Sequence, residues 1–380
     1  MKLLHTSDWH VGKKIRGRSR ADEHRAVLAE IVDIARGHDV DAVLVAGDVF
    51  ETASPTPESE EIVYRALLAL ADAGTSVFLI GGNHDNTKRL AALQPIMELG
   101  RIHVVAEATK PEHGGVRSLA IGDETLVVAS LPFVSQSRIV RAAQLMEGAA
   151  FEHAGVYADR IRSLVESLTS SFSEEAVNIV LMHAFVHGGA SGGGERSAHL
   201  VDEYAVSAQA FPATASYVAL GHLHAPQKIA GASAIHYSGS PLQLDFGESN
   251  QQKSVNVIDA GAGAPAAVDT IPLNEGIPLL TIRGDLDSLR AQIDDAEDAW
   301  LRVIVQEARR ADLADDVRTL LGDRVVEVVV DMPAEEAPAR QPRRGRSPAE
   351  MFSEYLAELQ VKDPAIEAMF AELLESEGLD

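Results

Sequence analysis

Lys2-Leu3-Leu4-His5-Thr6-Ser7-Asp8-Trp9-His10 opens the chain with a short run that reads as a β-strand, residues 2–5. A carboxylate and an imidazole follow it, two positions apart. The pattern recurs. Residues 42–46 read as a second strand and run into Gly47-Asp48-Val49-Phe50. Residues 77–80 read as a third and run into Gly82-Asn83-His84-Asp85. Residues 22–35, 58–71 and 87–99 carry helical periodicity. This βαβα order predicts an α/β sheet.

Working outward, residues 116–121 and 125–130 are two β-rich runs split by Gly122-Asp123, a hairpin signal. Residues 177–182, 216–220, 234–237 and 254–258 read as further strands, so more than one sheet is expected. Residues 188–194 are a glycine-rich flexible loop. Runs at 279–283, 301–306 and 325–330, with two helices between them, are enough for a small α/β domain. Residues 333–347 are rich in Pro and Arg and read as a linker, and two helices are expected after it. The expected division is 1–275, 276–333, 334–347 and 348–380.

The chain has 380 residues, more than one compact core usually holds. It has no cysteine, so disulfides and thiolate metal ligands are excluded. No apolar run is long enough to span a membrane. The first residues turn polar too soon for a signal peptide, and a cytoplasmic protein is expected. The net charge of −24 argues against a nucleic-acid partner at first sight. That argument weakens if acids serve as metal ligands. Much of the acidity, such as Asp294, Asp295, Glu297 and Asp298, also lies away from the motifs.

Five segments carry chemistry. Asp8-Trp9-His10, Asp48 and Asn83-His84-Asp85 each follow a predicted strand; so do His183 and Gly221-His222-Leu223-His224. Side chains beyond the carboxyl ends of strands in an α/β sheet converge on one crevice. Carboxylate, imidazole and amide oxygen suit Mn, Fe or Zn better than Ca. The i,i+2 spacing of Asp8/His10 and of His222/His224 points both side chains of each pair to one side of an extended chain. Asp48 could bridge two ions, and two ions about 3.5–4 Å apart can clamp both oxygens of a phosphoester displacement. Taken singly, each piece reads as an ordinary surface, core or turn residue; five in order, each after a strand, do not. His5 and His187 flank the motifs as supports. His24, His38, His103, His113, His153, His199 and His236 read as surface or packing residues.

The ordered set Asp-x-His, Gly-Asp, Gly-Asn-His-Asp, His, Gly-His-x-His resembles the calcineurin-like metallophosphoesterases. Within them, residues 5–12 (His-Thr-Ser-Asp-Trp-His-Val-Gly), 217–224 (Tyr-Val-Ala-Leu-Gly-His-Leu-His) and 238–242 (Ser-Gly-Ser-Pro-Leu) resemble the SbcD nuclease family. The resemblance implies a two-sheet sandwich flanked by helices, a small α/β capping domain and a partner-binding helical pair. It implies Asp8, His10, Asp48 and His224 on one metal, and Asp48, Asn83, His183 and His222 on the other. His84 would face the scissile phosphate as general acid, with Glu51 as its candidate orienting partner and Asp85 in support. The implied activity is Mn-dependent exonuclease and hairpin endonuclease action on DNA ends. The implied partners are an SbcC-like ATPase of the SMC class and a second copy of the chain.

Lys13, Lys14, Arg16, Arg18 and Arg20 form a basic loop after the first motif, read either as solvated or as a contact to DNA phosphates. Arg340, Arg343, Arg344 and Arg346 form a second basic patch. In the tail, Ser347-Pro348-Ala349-Glu350 is a helix-start signal. Phe352, Tyr355, Leu356 and Leu359 fall on one face after it; Met369, Phe370 and Leu373 fall on one face of the second helix. These faces are expected either to fold back or to dock on the ATPase. Two other functions stay open on motif grounds: a general phosphomonoesterase or cyclic-nucleotide phosphodiesterase, and a non-catalytic scaffold.

Overall fold

The computed structural model describes residues 1–72, 74–135, 157–195, 205–292, 298–308, 310 and 312–331, together with Phe352, Ser353, Leu356, Ile366, Met369 and Phe370. The chain divides into two compact units: Met1–Val305 with Arg310–Val330, and Gln306–Arg309 with Asp331–Asp380.

The first sheet begins with β1 (Lys2–Thr6), paired in parallel with β4 (Ala42–Val45), then β5 (Ser76–Ile80) and β6 (Ile102–Val105). On its other side β1 takes β13 (Ser254–Asp259) and then β14 (Ala267–Pro272), both antiparallel to their neighbours. The second sheet repeats the plan. Its parallel strands are β8 (Glu124–Leu131), β9 (Val177–His183), β10 (Tyr217–Gly221) and β12 (Ala234–Tyr237), with β7 (Val116–Ile121) and β11 (Gln227–Ile229) as antiparallel edges.

Alternation along the strands builds the layers. Leu3, Ala42, Leu44, Phe78 and Ile80 point inward and meet Leu126, Val128, Val177, Ile179 and Leu181 of the second sheet. Leu4, Val43, Val45, Val77 and Leu79 point outward, onto α1 (Ala21–Gly37), α2 (Pro57–Asp72) and α3 (Thr87–Leu99). The outer face of the second sheet packs on α4 (Tyr157–Leu168). Strands buried on both faces read as continuous apolar runs, which is why they are visible in the sequence. The strands not predicted, β6, β11, β14 and the short pair β2 (Lys14–Ile15) and β3 (Arg18–Ser19), are edge elements. β14 shows the reason: it is mostly exposed and carries no apolar repeat.

The remaining strands, β15 (Leu279–Gly284), β16 (Trp300–Val305) and β17 (Val325–Val330), form a parallel sheet with α5 (Leu286–Ala291) and α6 (Leu313–Leu321) around its own core. It belongs to the same compact unit as the sandwich. Ile15, Phe246 and Leu279 form a small apolar cluster where the two meet. In the tail the rings of Phe352 and Phe370, one from each predicted apolar face, stack at 3.9 Å. The helix-start signal at 347–350, with Tyr355, Leu359 and Leu373, lies outside the described residues, as does the Arg-rich patch at 340–346. Among the described residues no helix is long and apolar enough to cross a membrane.

Candidate metal centre

The loops that follow β1 and β4 run side by side. The amides of Asp8, His10 and Val11 donate to the carbonyls of Gly47, Asp48 and Val49, each at 3.0 Å. That ladder holds Asp8, His10 and Asp48 at φ 53°, 45° and 50°, and His222 sits at φ 107°. Residues with a Cβ seldom take up this region, and surrounding structure must impose it. The close packing also explains two glycines. A Cβ on Gly82 would lie 2.1 Å from Asp48 Oδ1, and one on Gly221 would lie 2.0 Å from the Ala46 carbonyl.

The carboxyl ends of β1, β4 and β5 from one sheet, and of β9 and β10 from the other, bring all seven expected ligands together. Asp8 accepts from the His222 amide at 3.0 and 3.1 Å. Asp48 Oδ1 accepts from the His84 amide at 2.7 Å, while Oδ2 lies 3.4 Å from His183 Nε2 and 3.7 Å from His10 Nε2. Asn83 Oδ1 lies 2.9 Å from His183 Nε2 and 3.0 Å from His222 Nδ1. Ligand atoms of Asp8, His10 and His224 lie within 4.8 Å of one another; so do those of Asp8, Asp48 and His183, and those of His10, Asp48 and His84. Asp48 thus stands between groups, where a bridging carboxylate belongs.

The donor set fits divalent cations. Asp8 and Asp48 are both buried, and His10 Nε2 is buried with no hydrogen-bond partner among the described residues. Two buried carboxylates need a compensating positive charge. Burial pushes Asp8 up to about 6. It also acts against ionisation of Asp48, but His183 and His10 outweigh it and hold that carboxyl well below the usual range. Burial opposes a charge on His183, yet Asp48 and Asp8 bring it up to about 9. Nitrogen and oxygen donors together suit a first-row divalent ion.

The supporting residues differ from expectation in one respect. The Glu51 carboxylate does not orient His84; Oε2 bonds His10 Nδ1 at 2.9 Å and Oε1 takes Lys13 Nζ at 3.0 Å. His84 Nδ1 is held by the backbone carbonyl of Glu51, at 2.7 Å. The longer side chain reaches past His84 to the metal-side histidine. Asp85 accepts from the amides of Phe50 and Gly82 at 3.1 and 2.9 Å, which ties the second loop to the third. Burial, with Asp48 adding, pushes its carboxyl up to about 7. His5 lies between the sheets, 2.9 Å from the Tyr217 hydroxyl.

Within the basic loop, Arg20 is a correction. Arg20 is buried and bonds Glu23 and the carbonyls of Gln243 and Ile277, so it cannot reach a phosphate. Arg18 lies 5.1 Å over the Trp300 ring, Arg16 pairs with Glu327 at 3.0 Å, and Lys13 pairs with Glu51. Of these five, Lys14 stands exposed with no ion pair to the described residues. Arg16 and Arg18 thus contact Glu327 and Trp300 of the three-stranded sheet.

Three residues escaped sequence reasoning. Glu248 Oε1 bonds His224 Nδ1 at 2.9 Å, and its Oε2 takes Lys253 Nζ at 2.7 Å. Lys253 is itself buried and also donates to the His224 carbonyl at 3.0 Å. Glu195, just after the glycine-rich loop, accepts from the His224 amide at 2.9 Å. Carboxylates behind ligand histidines fix ring orientation. No local motif marks these residues, since their partners come from folding.

Residues 1–226 match the calcineurin-like phosphoesterase family, and residues 276–360 match a family described as the type 5 capsule protein repressor C-terminal domain. The SbcD subunit of the SbcCD nuclease from Bacillus subtilis is 37% identical over 322 residues, covering 82% of this chain and 81% of that protein. The protein of the same name from Escherichia coli K12 is 28% identical, covering 96% of this chain and 91% of that protein. Its Rhodobacter capsulatus namesake is 34% identical, with 74% and 71% covered.

Proposed function

The chain belongs to the SbcD family of calcineurin-like phosphoesterases and is a metal-dependent nuclease component of the SbcCD type; from that premise we propose that it hydrolyses DNA phosphodiesters with two manganese ions. The observation that carries the reading is the meeting of Asp8, His10, Asp48, Asn83, His183, His222 and His224 at one point between the two sheets. Asp8, His10, Asp48 and His224 would hold one ion, and Asp48, Asn83, His183 and His222 the other. Bound there, two divalent ions neutralise phosphate charge and lower the pKa of water.

The protein's own groups do the rest. Asp48 keeps both ligand sets in register through its contacts to the His84 amide, His183 and His10. His84 donates from Nδ1 to the Glu51 carbonyl, which leaves Nε2 as the nitrogen that delivers a proton to the leaving oxygen. Its side chain is 11% exposed.

The substrates are DNA ends, cut as exonuclease, and hairpins, cut as endonuclease. The working partner is an SbcC-like ATPase in the cytoplasm, gripped by the tail residues Phe352, Tyr355, Leu356, Leu359, Met369, Phe370 and Leu373. The exposed Met369 supports that reading, being a large apolar side chain left in water. A homodimer through α2 and α3 is supported by Leu68, Ile96 and Leu99, which are 55%, 67% and 88% exposed. A general phosphomonoesterase needs neither the three-stranded sheet nor the tail, and a scaffold needs no intact ligand set.

The test incubates purified protein and Mn²⁺, with and without the ATPase, with hairpin DNA and with a small chromogenic phosphodiester. Hairpin opening that vanishes in Asp48→Ala supports the reading. Turnover of the small ester alone, with DNA untouched even beside the ATPase, overturns it.

A further inference from the structure

Two adjacent residues in the first turn of α1 reach in opposite directions. Glu23 faces the three-stranded sheet and the segment that leads into it. Its carboxylate accepts from Trp300 Nε1 at 3.1 Å, from the Ile277 amide at 2.8 Å and from Arg20 Nε at 3.1 Å. His24 faces the other way. Its Nε2 lies 3.1 Å from the carbonyl of Trp9, the residue between Asp8 and His10. Both residues are buried, His24 completely.

Each ring nitrogen of His24 faces a backbone carbonyl. Burial drives the His24 ring down to about 4, so it is neutral at physiological pH and has one N–H. Nδ1 faces the Arg20 carbonyl, which already accepts the amide of His24 itself. The Trp9 carbonyl has no other donor among the described residues. With its N–H on Nε2 the ring satisfies that buried acceptor; with the N–H on Nδ1 it would add a second bond to the Arg20 carbonyl. This contact holds the Trp9–His10 peptide, whose rotation would change φ of His10, set at 45°, and so move that ligand side chain.

We propose that Glu23 and His24 are positioning residues that couple the seating of the three-stranded sheet to the geometry of the Asp8–His10 loop. Glu23 sets the first turn of α1 against Trp300 and Ile277, and His24 passes that setting to the Trp9 peptide. The inference rests on the metal-centre reading above. The distance is short: one peptide bond separates the residue that senses the sheet from the residue that holds the loop. A displacement of the three-stranded sheet, by whatever binds it, would reach the metal ligands without touching them.

The test measures Mn²⁺ affinity by titration calorimetry and turnover of a small chromogenic phosphodiester, a substrate too small to need the three-stranded sheet. His24→Leu removes the donor and should weaken Mn²⁺ binding about 10-fold, the low end for residues behind metal ligands. His24→Gln, which can restore an N–H to the Trp9 carbonyl, should recover most of the loss; a role in bulk packing alone would not show that rescue. Trp300→Phe keeps the ring under Arg18 but removes the donor to Glu23, and should also weaken Mn²⁺ binding, by less. The combined His24→Leu and Trp300→Phe variant should be no worse than His24→Leu, because the path is already cut. If Trp300→Phe leaves Mn²⁺ affinity and turnover at wild-type values, or the two losses simply add, the coupling is refuted while the nuclease reading stands. If His24→Leu does not fold, Trp300→Phe still decides. Wild-type protein that takes up no Mn²⁺ would instead overturn the metal-centre reading itself.

Discussion

Replacing Glu51 separates two accounts of how the site is built. If the Glu51 carboxylate oriented His84, its loss would damage proton delivery at every metal concentration. The structure places that carboxylate closest to His10 and Lys13, with His84 Nδ1 farther from it at 4.0 Å, and holds His84 Nδ1 at 2.7 Å from the Glu51 backbone carbonyl, which no side-chain substitution removes. The His10 bond is 2.9 Å long and charge-assisted: burial alone would raise the Glu51 pKa, yet His10 and Lys13 bring it down to about 2. Hydrogen bonds to charged groups contribute about 1.5–3 kcal/mol. With the carboxylate 22% exposed, the lower end applies. At about 1.4 kcal/mol per factor of ten, Glu51→Ala should weaken metal binding about 10-fold. The unpaired Lys13 ammonium adds repulsion of the same sign. The assay is DNA digestion as a function of Mn²⁺ concentration. The midpoint should move up about 10-fold while the rate at saturating metal stays near wild type. A variant whose midpoint is unmoved and whose rate stays low at saturating Mn²⁺ would refute this assignment and return Glu51 to His84.

His84→Ala should keep metal content, measured by elemental analysis, while turnover falls by about 100-fold or more; an empty site would contradict the division of roles. Leu99→Asp should convert a dimer to a monomer in sedimentation equilibrium without lowering the melting temperature, because Leu99 is exposed. Leu93→Asp is the poorer probe, since Leu93 packs against the core and its loss confounds folding with association. Removing the residues after Arg346 should abolish capture of the ATPase and leave intrinsic nuclease activity in place; unchanged capture would count against the tail as the grip. Burial pushes the Glu23 pKa up, but Arg20 and the Ile277 amide outweigh it and leave it below the usual carboxylate range. A lowered folded-state pKa gives stability that is present above the unfolded value and lost as pH falls through the folded one. The urea-midpoint gap between wild type and Glu23→Gln should therefore narrow from about pH 6 to about pH 3. A gap that widens in acid would reverse the sign of the Glu23 contribution.

The sequence by itself determined the strands that are buried on both faces, the helices between them and the ligand clusters at their carboxyl ends. The ends of α3 and β12 were legible to the residue. Those features are local: a fully buried strand must be apolar throughout, and a tight turn that approaches a ligand must be glycine. Parallel strands then carry their ends to one place, so Asp8, Asp48, Asn83, His183 and His222 could be assembled from their order alone. Tertiary structure decided what each ligand leans on. The Glu51 carboxylate settled 2.9 Å from His10 Nδ1 and 4.0 Å from His84 Nδ1. Arg20, one of a run of basic residues, became the buried partner of Glu23 because Gln243 and Ile277 close over it. Glu248 and Lys253 reached His224 only when the loop before β13 folded under it. A hydrogen bond across two hundred residues leaves no periodicity in the chain, since its partners are chosen by how the sheets and loops pack and not by any pattern near either residue.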